Sequence, residues 1–196
     1  MLIYKILSVA LFPFVEIYVF YRIFKKKEHK KRFKERFGIS SKDRPEGNLI
    51  WINAVSVGEA KSALILADEI LKKSPESHIL FTTTTLTSAE IIEQRSVAIK
   101  GKIIHQFSPV DLYYQVKKFL NFWQPNTVIF FESEIWPNLI TETKKTGANL
   151  YLANARMSEK SAKTWRFLDK IFFNVFNNFD IIFAQSKDDQ KRFQEL

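Results

Sequence analysis

Four short runs in this sequence hold side chains able to do chemistry together. They are SVGEAKSA (56–63), TTTT (82–85), ESEIWPNL (132–139) and ANARMS (153–158). In the first, Ser56 follows an apolar run, Gly58 suits a tight turn and Glu59 stands in the first turn of a following helix. A Glu at that position is favoured by the helix macrodipole and needs no other role. At the mouth of a crevice the same carboxylate can take a proton from an incoming hydroxyl. In the third run Glu132 and Glu134 flank Ser133 directly after the strand-like TVIFF. Strand alternation puts both carboxylates on one side, where repulsion raises one pKa, a pattern enriched at active sites. In the plainer reading Glu134 caps the helix near Pro137 and Glu132 pairs with Arg156 or a lysine. Arg156 is suited equally to gripping a phosphate or carboxylate and to bridging Glu132 or Glu134. The threonine run offers hydroxyls that either meet solvent or bond to one another.

These residues share one kind of address. Short β-branched or aromatic runs at 49–55, 78–84, 102–107, 127–133, 148–154 and 180–186 alternate with longer helical stretches. Between the first two, Ala63, Leu64, Leu66, Ala67, Ile70 and Leu71 recur at the spacing of a helix buried on one side. Strands separated by helices predict βαβ crossovers and an α/β, Rossmann-like parallel sheet with helices on both faces. Ligands of such sheets lie beyond the carboxyl ends of the strands, where Ser56, Gly58, Glu59, Glu132, Glu134 and Arg156 fall. The glycine fingerprints of dinucleotide and P-loop sites are missing.

Composition narrows the chemistry further. The 196 residues are 46% hydrophobic and 26% charged, which excludes a disordered tail and suits one α/β domain with an appendage. The sequence contains no cysteine, hence no disulfide, thiolate nucleophile or Cys-based metal site, and its three histidines are scattered, so no metal is expected. The net charge of +9 is concentrated: residues 25–36 hold eight Lys or Arg against two Glu. Directly before them lies the apolar stretch 1–24, interrupted by Lys5, Pro13, Glu16 and Arg22. An apolar segment followed by a basic run reads as a retained membrane anchor helix (1–24) and a basic juxtamembrane segment and linker (25–48), with the domain (49–196) on the cytoplasmic side of the membrane. It does not read as a nucleic-acid footprint. Deleting residues 1–36 is then expected to leave the fold intact. The Phe-rich stretch 165–180, with Phe172 and Phe176, is expected either to be buried or to meet lipid.

Taken in order, the apolar segment, the basic run, WINAVSVGE, FTTTT, SPVD, ESEIWPNL, ANARMS and AQSKDD resemble the 3-deoxy-D-manno-octulosonic acid (Kdo) transferases of lipopolysaccharide synthesis. The resemblance implies the N-terminal domain of a two-domain GT-B glycosyltransferase. Its acceptor is a lipid A precursor such as lipid IVA, its donor is CMP-Kdo, and it uses no cofactor. It implies further that Glu59 is the general base and Glu132 the transition-state stabiliser; Ser56, Gly58, Glu134 and Arg156, at the same strand ends, are expected to bind substrate. The nucleotide-binding C-terminal domain of that family has no counterpart here, so CMP-Kdo would reach this chain through a missing domain. The alternative is a catalytically inactive, truncated membrane-surface module that binds anionic lipid or a partner protein.

Overall fold

The computed structural model describes residues 2–99, 101–172 and 175–196. Six strands form one parallel sheet: β1 (Leu49–Asn53), β2 (His78–Thr83), β3 (Ile103–Phe107), β4 (Thr127–Phe131), β5 (Asn149–Ala155) and β6 (Ile181–Ala184). Their order is β3-β2-β1-β4-β5-β6, the doubly wound arrangement. The described helices are α1 (Leu2–Ala10), α2 (Phe12–Phe24), α3 (Val57–Lys73), α4 (Leu86–Ala98), α5 (Tyr113–Trp123), α6 (Pro137–Lys145), α7 (Glu159–Phe172) and α8 (Lys187–Gln194).

Parallel strands covered on both faces read as continuous apolar runs, and every residue of β1 is buried. Alternate residues of the sheet enter two cores. Ile52, Ile79 and Phe81 meet Ala60, Ala63 and Ala67 of α3, whose small side chains let the helix approach closely. Trp51, Leu80 and Phe130 meet Phe119 and Trp123 of α5 and Leu139 of α6. Trp51 also donates from Nε1 to Thr82 Oγ1 at 2.7 Å, and Thr82 donates in turn to Asn53 at 2.8 Å. The threonine hydroxyls are thus taken up by the surrounding fold and not by one another: Thr83 bonds His105, Thr84 donates to Val55 O, and Thr85 caps α4 by accepting from the Ser88 N–H.

The N-terminal stretch departs from one straight helix. It breaks at Leu11 into α1 and α2, whose axes bend by 51°, because Pro13 lacks the N–H that would continue the ladder and its ring crowds the preceding turn. No single described helix is long and apolar enough to cross a membrane. The basic run also divides. Lys25, Lys26, Lys27, Lys30, Lys31 and Lys34 are exposed, whereas Glu28, Glu35 and Arg36 are buried. Glu35 accepts from the backbone N–H of Phe107 at 2.7 Å, tying the 3₁₀ turn Phe33–Phe37 to β3. Gly38 ends that turn at φ 73°, and a Cβ there would lie 2.3 Å from the Gln115 carbonyl oxygen of α5, so only glycine fits. Packing thus begins well ahead of position 49. A deletion through residue 36 removes buried ion pairs, and an intact fold is not expected from it.

The Phe-rich stretch also divides. Phe176 and Phe179 are buried, with Phe176 meeting Trp165 and Phe193 edge to face, whereas the Phe172 side chain lies outside the described residues. Phe176 therefore belongs to the core and not to a lipid contact. Phe176→Leu should lower stability by roughly 1–2 kcal/mol through two lost aromatic pairs, read from the denaturant midpoint, and leave vesicle binding unchanged.

Candidate functional site

β1 and β4 are neighbours, and the chain leaves them in opposite directions across the sheet, so a crevice opens between their carboxyl ends. Two of the candidate runs meet there. Ser56 is the N-cap of α3 and its Oγ accepts from the Glu59 N–H at 3.2 Å. Glu59 reaches back and accepts from the Val55 N–H through Oε2 at 2.9 Å, one residue beyond the N-cap N–H that a capping box would use. Among the described residues its other oxygen accepts no hydrogen bond. The helix-end role thus occupies one oxygen of the carboxylate, while the Glu59 backbone N–H is held separately by Ser56. Gly58 is not a turn glycine: it lies in the first turn of α3 without a positive φ, and an added Cβ would meet nothing nearer than Ser56 Oγ at 4.0 Å. Nothing inside the fold requires glycine there. Its bareness instead leaves the first-turn backbone N–H groups open to close approach from outside.

The strand alternation expected for Glu132 and Glu134 ends one residue early. β4 stops at Phe131, and Glu132 takes a left-handed backbone, φ 56°. Its N–H donates to Ala153 O at 3.0 Å, and Asn154 beside that partner is left-handed too, at φ 52°. Two such non-glycine residues on adjacent strand ends store backbone strain, which concentrates at functional sites. Ser133 Oγ donates to Arg156 O at 2.6 Å and locks the two loops together.

Three carboxylates therefore lie near enough for their charges to act on one another. Partial burial and then the charge of Glu59 push the Glu132 pKa above the ordinary range, opposed by Arg156. Burial likewise raises Glu134, against a 2.6 Å hydrogen bond from Trp136 Nε1, with Glu59 and Glu132 adding to the rise. Arg156 is exposed and makes no ion pair within 4 Å among the described residues, so it acts on Glu132 through its field and stays available to an anion.

Glu134 does not cap α6. Asp111, from the loop after β3, does so by accepting from the N–H groups of Asn138 at 3.2 Å and Leu139 at 2.7 Å. It also accepts from the Tyr4 hydroxyl at 2.7 Å, and its enclosure raises its pKa to about 6. The sequence marks Asp111 only as a residue after a strand, with nothing to connect it to a helix 26 positions on.

Beside the carboxylates runs a groove of about 580 Å³. Val15, Tyr18 and Val19 of α2 line it together with Pro109, Leu112 and Trp136, and Glu134 is among its lining residues. Its lining is mostly apolar. No local periodicity signals it, because its walls come from segments about 100 residues apart. Among the described residues no three His, Asp or Glu side chains gather as a metal site would need.

Comparison with known proteins bears on this arrangement. The family model of the 3-deoxy-D-manno-octulosonic-acid transferases (kdotransferase) matches residues 31–196. A 3-deoxy-D-manno-octulosonic acid transferase of Rickettsia bellii is 41% identical over 196 residues, covering all of this chain and 46% of that protein. The probable mitochondrial transferase of Arabidopsis thaliana is 37% identical over 163 residues, which are 83% of this chain and 36% of that one. The Haemophilus influenzae enzyme is 31% identical over 175 residues, or 88% of this chain and 40% of its own. The chain spans about half the length, or less, of these curated relatives. With the match running through both carboxylate-bearing strand ends, the chain belongs to the family of 3-deoxy-D-manno-octulosonic acid transferases.

Proposed function

We propose that this chain is the acceptor-binding, base-supplying part of a GT-B glycosyltransferase that transfers Kdo from CMP-Kdo to a lipid A precursor at the cytoplasmic face of the inner membrane. The observation that carries the reading is the electrostatic coupling of Glu59, Glu132 and Glu134 at the β1–β4 switch point, with Glu134 also lining an apolar groove. In the transfer, the acceptor hydroxyl oxygen attacks the anomeric carbon of the donor, the bond from that carbon to the CMP phosphate breaks, and CMP leaves with the electron pair. Glu59 takes the hydroxyl proton, and its bond to Val55 keeps the accepting oxygen aimed. Positive charge grows on the sugar ring as the leaving group departs, and Glu132 is placed to offset it. Gly58 leaves room for the acceptor sugar, and Arg156 offers a counter-charge to its anionic groups. The groove between α2 and Trp136 takes the apolar part of the acceptor, and the nucleotide is held by the remaining half of the enzyme.

The test is reconstitution: this chain is mixed with a separately produced C-terminal half, and Kdo transfer from CMP-Kdo to lipid IVA is followed. Absence of transfer, with both halves folded and associated, would remove the reading in favour of a membrane-surface module. A pH profile gives a sharper check. Glu132 has to be ionised to offset positive charge, and burial beside Glu59 raises its pKa, so the acidic limb of kcat/KM should lie above that of a free glutamate. Arg156 lowers that pKa, so in Arg156→Ala the limb should move to still higher pH. An unmoved limb would detach Arg156 from Glu132.

A further inference from the structure

The first helix, α1, is built inside out for a surface helix. In a soluble protein the apolar stripe faces the core and the polar residues face water. In α1 the polar residues face the domain: Tyr4 donates to Asp111, Lys5 pairs with Glu142 at 2.5 Å, and Ser8 Oγ accepts from the Tyr113 N–H at 3.2 Å. Ile3, Ile6 and Leu7 face outward. α2 turns Val19 inward, yet leaves Phe14, Ile17 and Phe24 exposed by 68%, 67% and 81%. The far end is tied down as well. Arg22 donates to Glu28 at 3.1 Å, and Glu28 in turn pairs with the buried Arg36 at 3.1 Å.

Both ends of the segment are therefore fastened to one face of one domain. A segment crossing a bilayer has its ends about 30 Å apart on opposite sides, and a single domain cannot hold both. The helices are also short. At 1.5 Å per residue, α1 and α2 are only about 14 and 20 Å long, and the 51° bend shortens their combined reach.

We infer that α1 and α2 form an in-plane anchor that enters one leaflet of an anionic membrane from the domain's own side and leaves both of its ends there. The exposed lysines at 25, 26, 27, 30, 31 and 34 follow the apolar face directly. They select the occupant, because a second copy would bring like charges together whereas anionic headgroups neutralise them. The inference rests on the membrane location proposed above and specifies its topology. It also places α2, a wall of the groove, at the bilayer surface, so a lipid would enter that groove sideways without leaving the leaflet.

The absence of native cysteine makes the topology measurable on the full chain. One variant carries a Cys-Ser-Gly extension ahead of Met1, and a second carries Lys26→Cys. Each is produced in a Gram-negative host and treated with a membrane-impermeant maleimide, in spheroplasts and in inverted inner-membrane vesicles. Both thiols should be protected in spheroplasts and labelled in inverted vesicles. Labelling of the extension in spheroplasts with Lys26→Cys protected would show a spanning segment, overturning the inference while leaving the membrane location standing. Flotation with phosphatidylglycerol vesicles separates the other failure. A chain that stays at the bottom of the gradient, as a monomer or a dimer, would overturn both. Phe14→Ser with Ile17→Ser should lower vesicle partitioning at least tenfold, and an unchanged partition would show that this face does not meet lipid.

Discussion

Glu59→Gln should lower Kdo transfer by the reconstituted enzyme about 10²–10⁴-fold, the range for loss of a general base. Gln keeps the length and shape of the side chain, and its carbonyl oxygen can still accept from the Val55 N–H that Glu59 Oε2 now holds. It loses only the ability to take a proton, so kcat should fall while acceptor KM stays nearly constant. The melting temperature should move little, because the capping bonds survive. Since Glu59 also raises the Glu132 and Glu134 pKa values, its neutralisation should lower both. Residual activity should therefore extend to lower pH than in the wild type. Glu132→Gln should also reduce turnover, and Glu134→Gln less so, since its carboxylate is partly satisfied by Trp136. Near-wild-type transfer by Glu59→Gln would leave that residue as a helix cap alone.

Arg36→Ala should destabilise the chain by about 3–5 kcal/mol, the range for removing one partner of a buried ion pair. The guanidinium plugs the carboxyl ends of β2 and β3. It donates to the carbonyls of Thr84 at 2.5 Å, Ser108 at 3.1 Å and Thr83 at 3.4 Å, and pairs with Glu28. Alanine leaves three enclosed carbonyls and a buried carboxylate short of donors. For a chain of this size, such a loss should lower the melting temperature by roughly 6–20 °C. Arg36→Lys keeps the charge but cannot span three carbonyls and the carboxylate, so it should recover only part of the loss. A change below about 1 kcal/mol in the alanine variant would show that water already serves these groups.

The same residue shows where sequence reading stops. Arg36 sits in a run of eight basic residues and by composition is one more membrane-facing charge, yet its partner Ser108 is 72 positions away. Nothing local distinguishes it from Lys34, which stays in solvent. The two carboxylate loops divide in the same way. That Glu59 and Glu132 follow strands is written in the runs before them, and all six strands lie within two or three residues of where those runs place them. That the two residues lie near each other depends on β1 pairing with β4, a choice made by the crossover after β3 and not by either run.

Sequence alone determined the elements and their class, because a strand buried on both faces must be a continuous apolar run and a covering helix must repeat every three to four residues. It also determined the chemistry on offer, since two short runs after strands hold Glu59, Glu132 and Glu134 in a chain without cysteine. Tertiary structure decided the rest. It turned Glu132 into a left-handed residue, gave Asp111 the capping of α6, divided the basic run between solvent and core, and laid α1 against the domain polar side inward. Each outcome depends on contacts between segments far apart in the chain, whose free energy exceeds any local preference and leaves no periodic trace in the residues that make them.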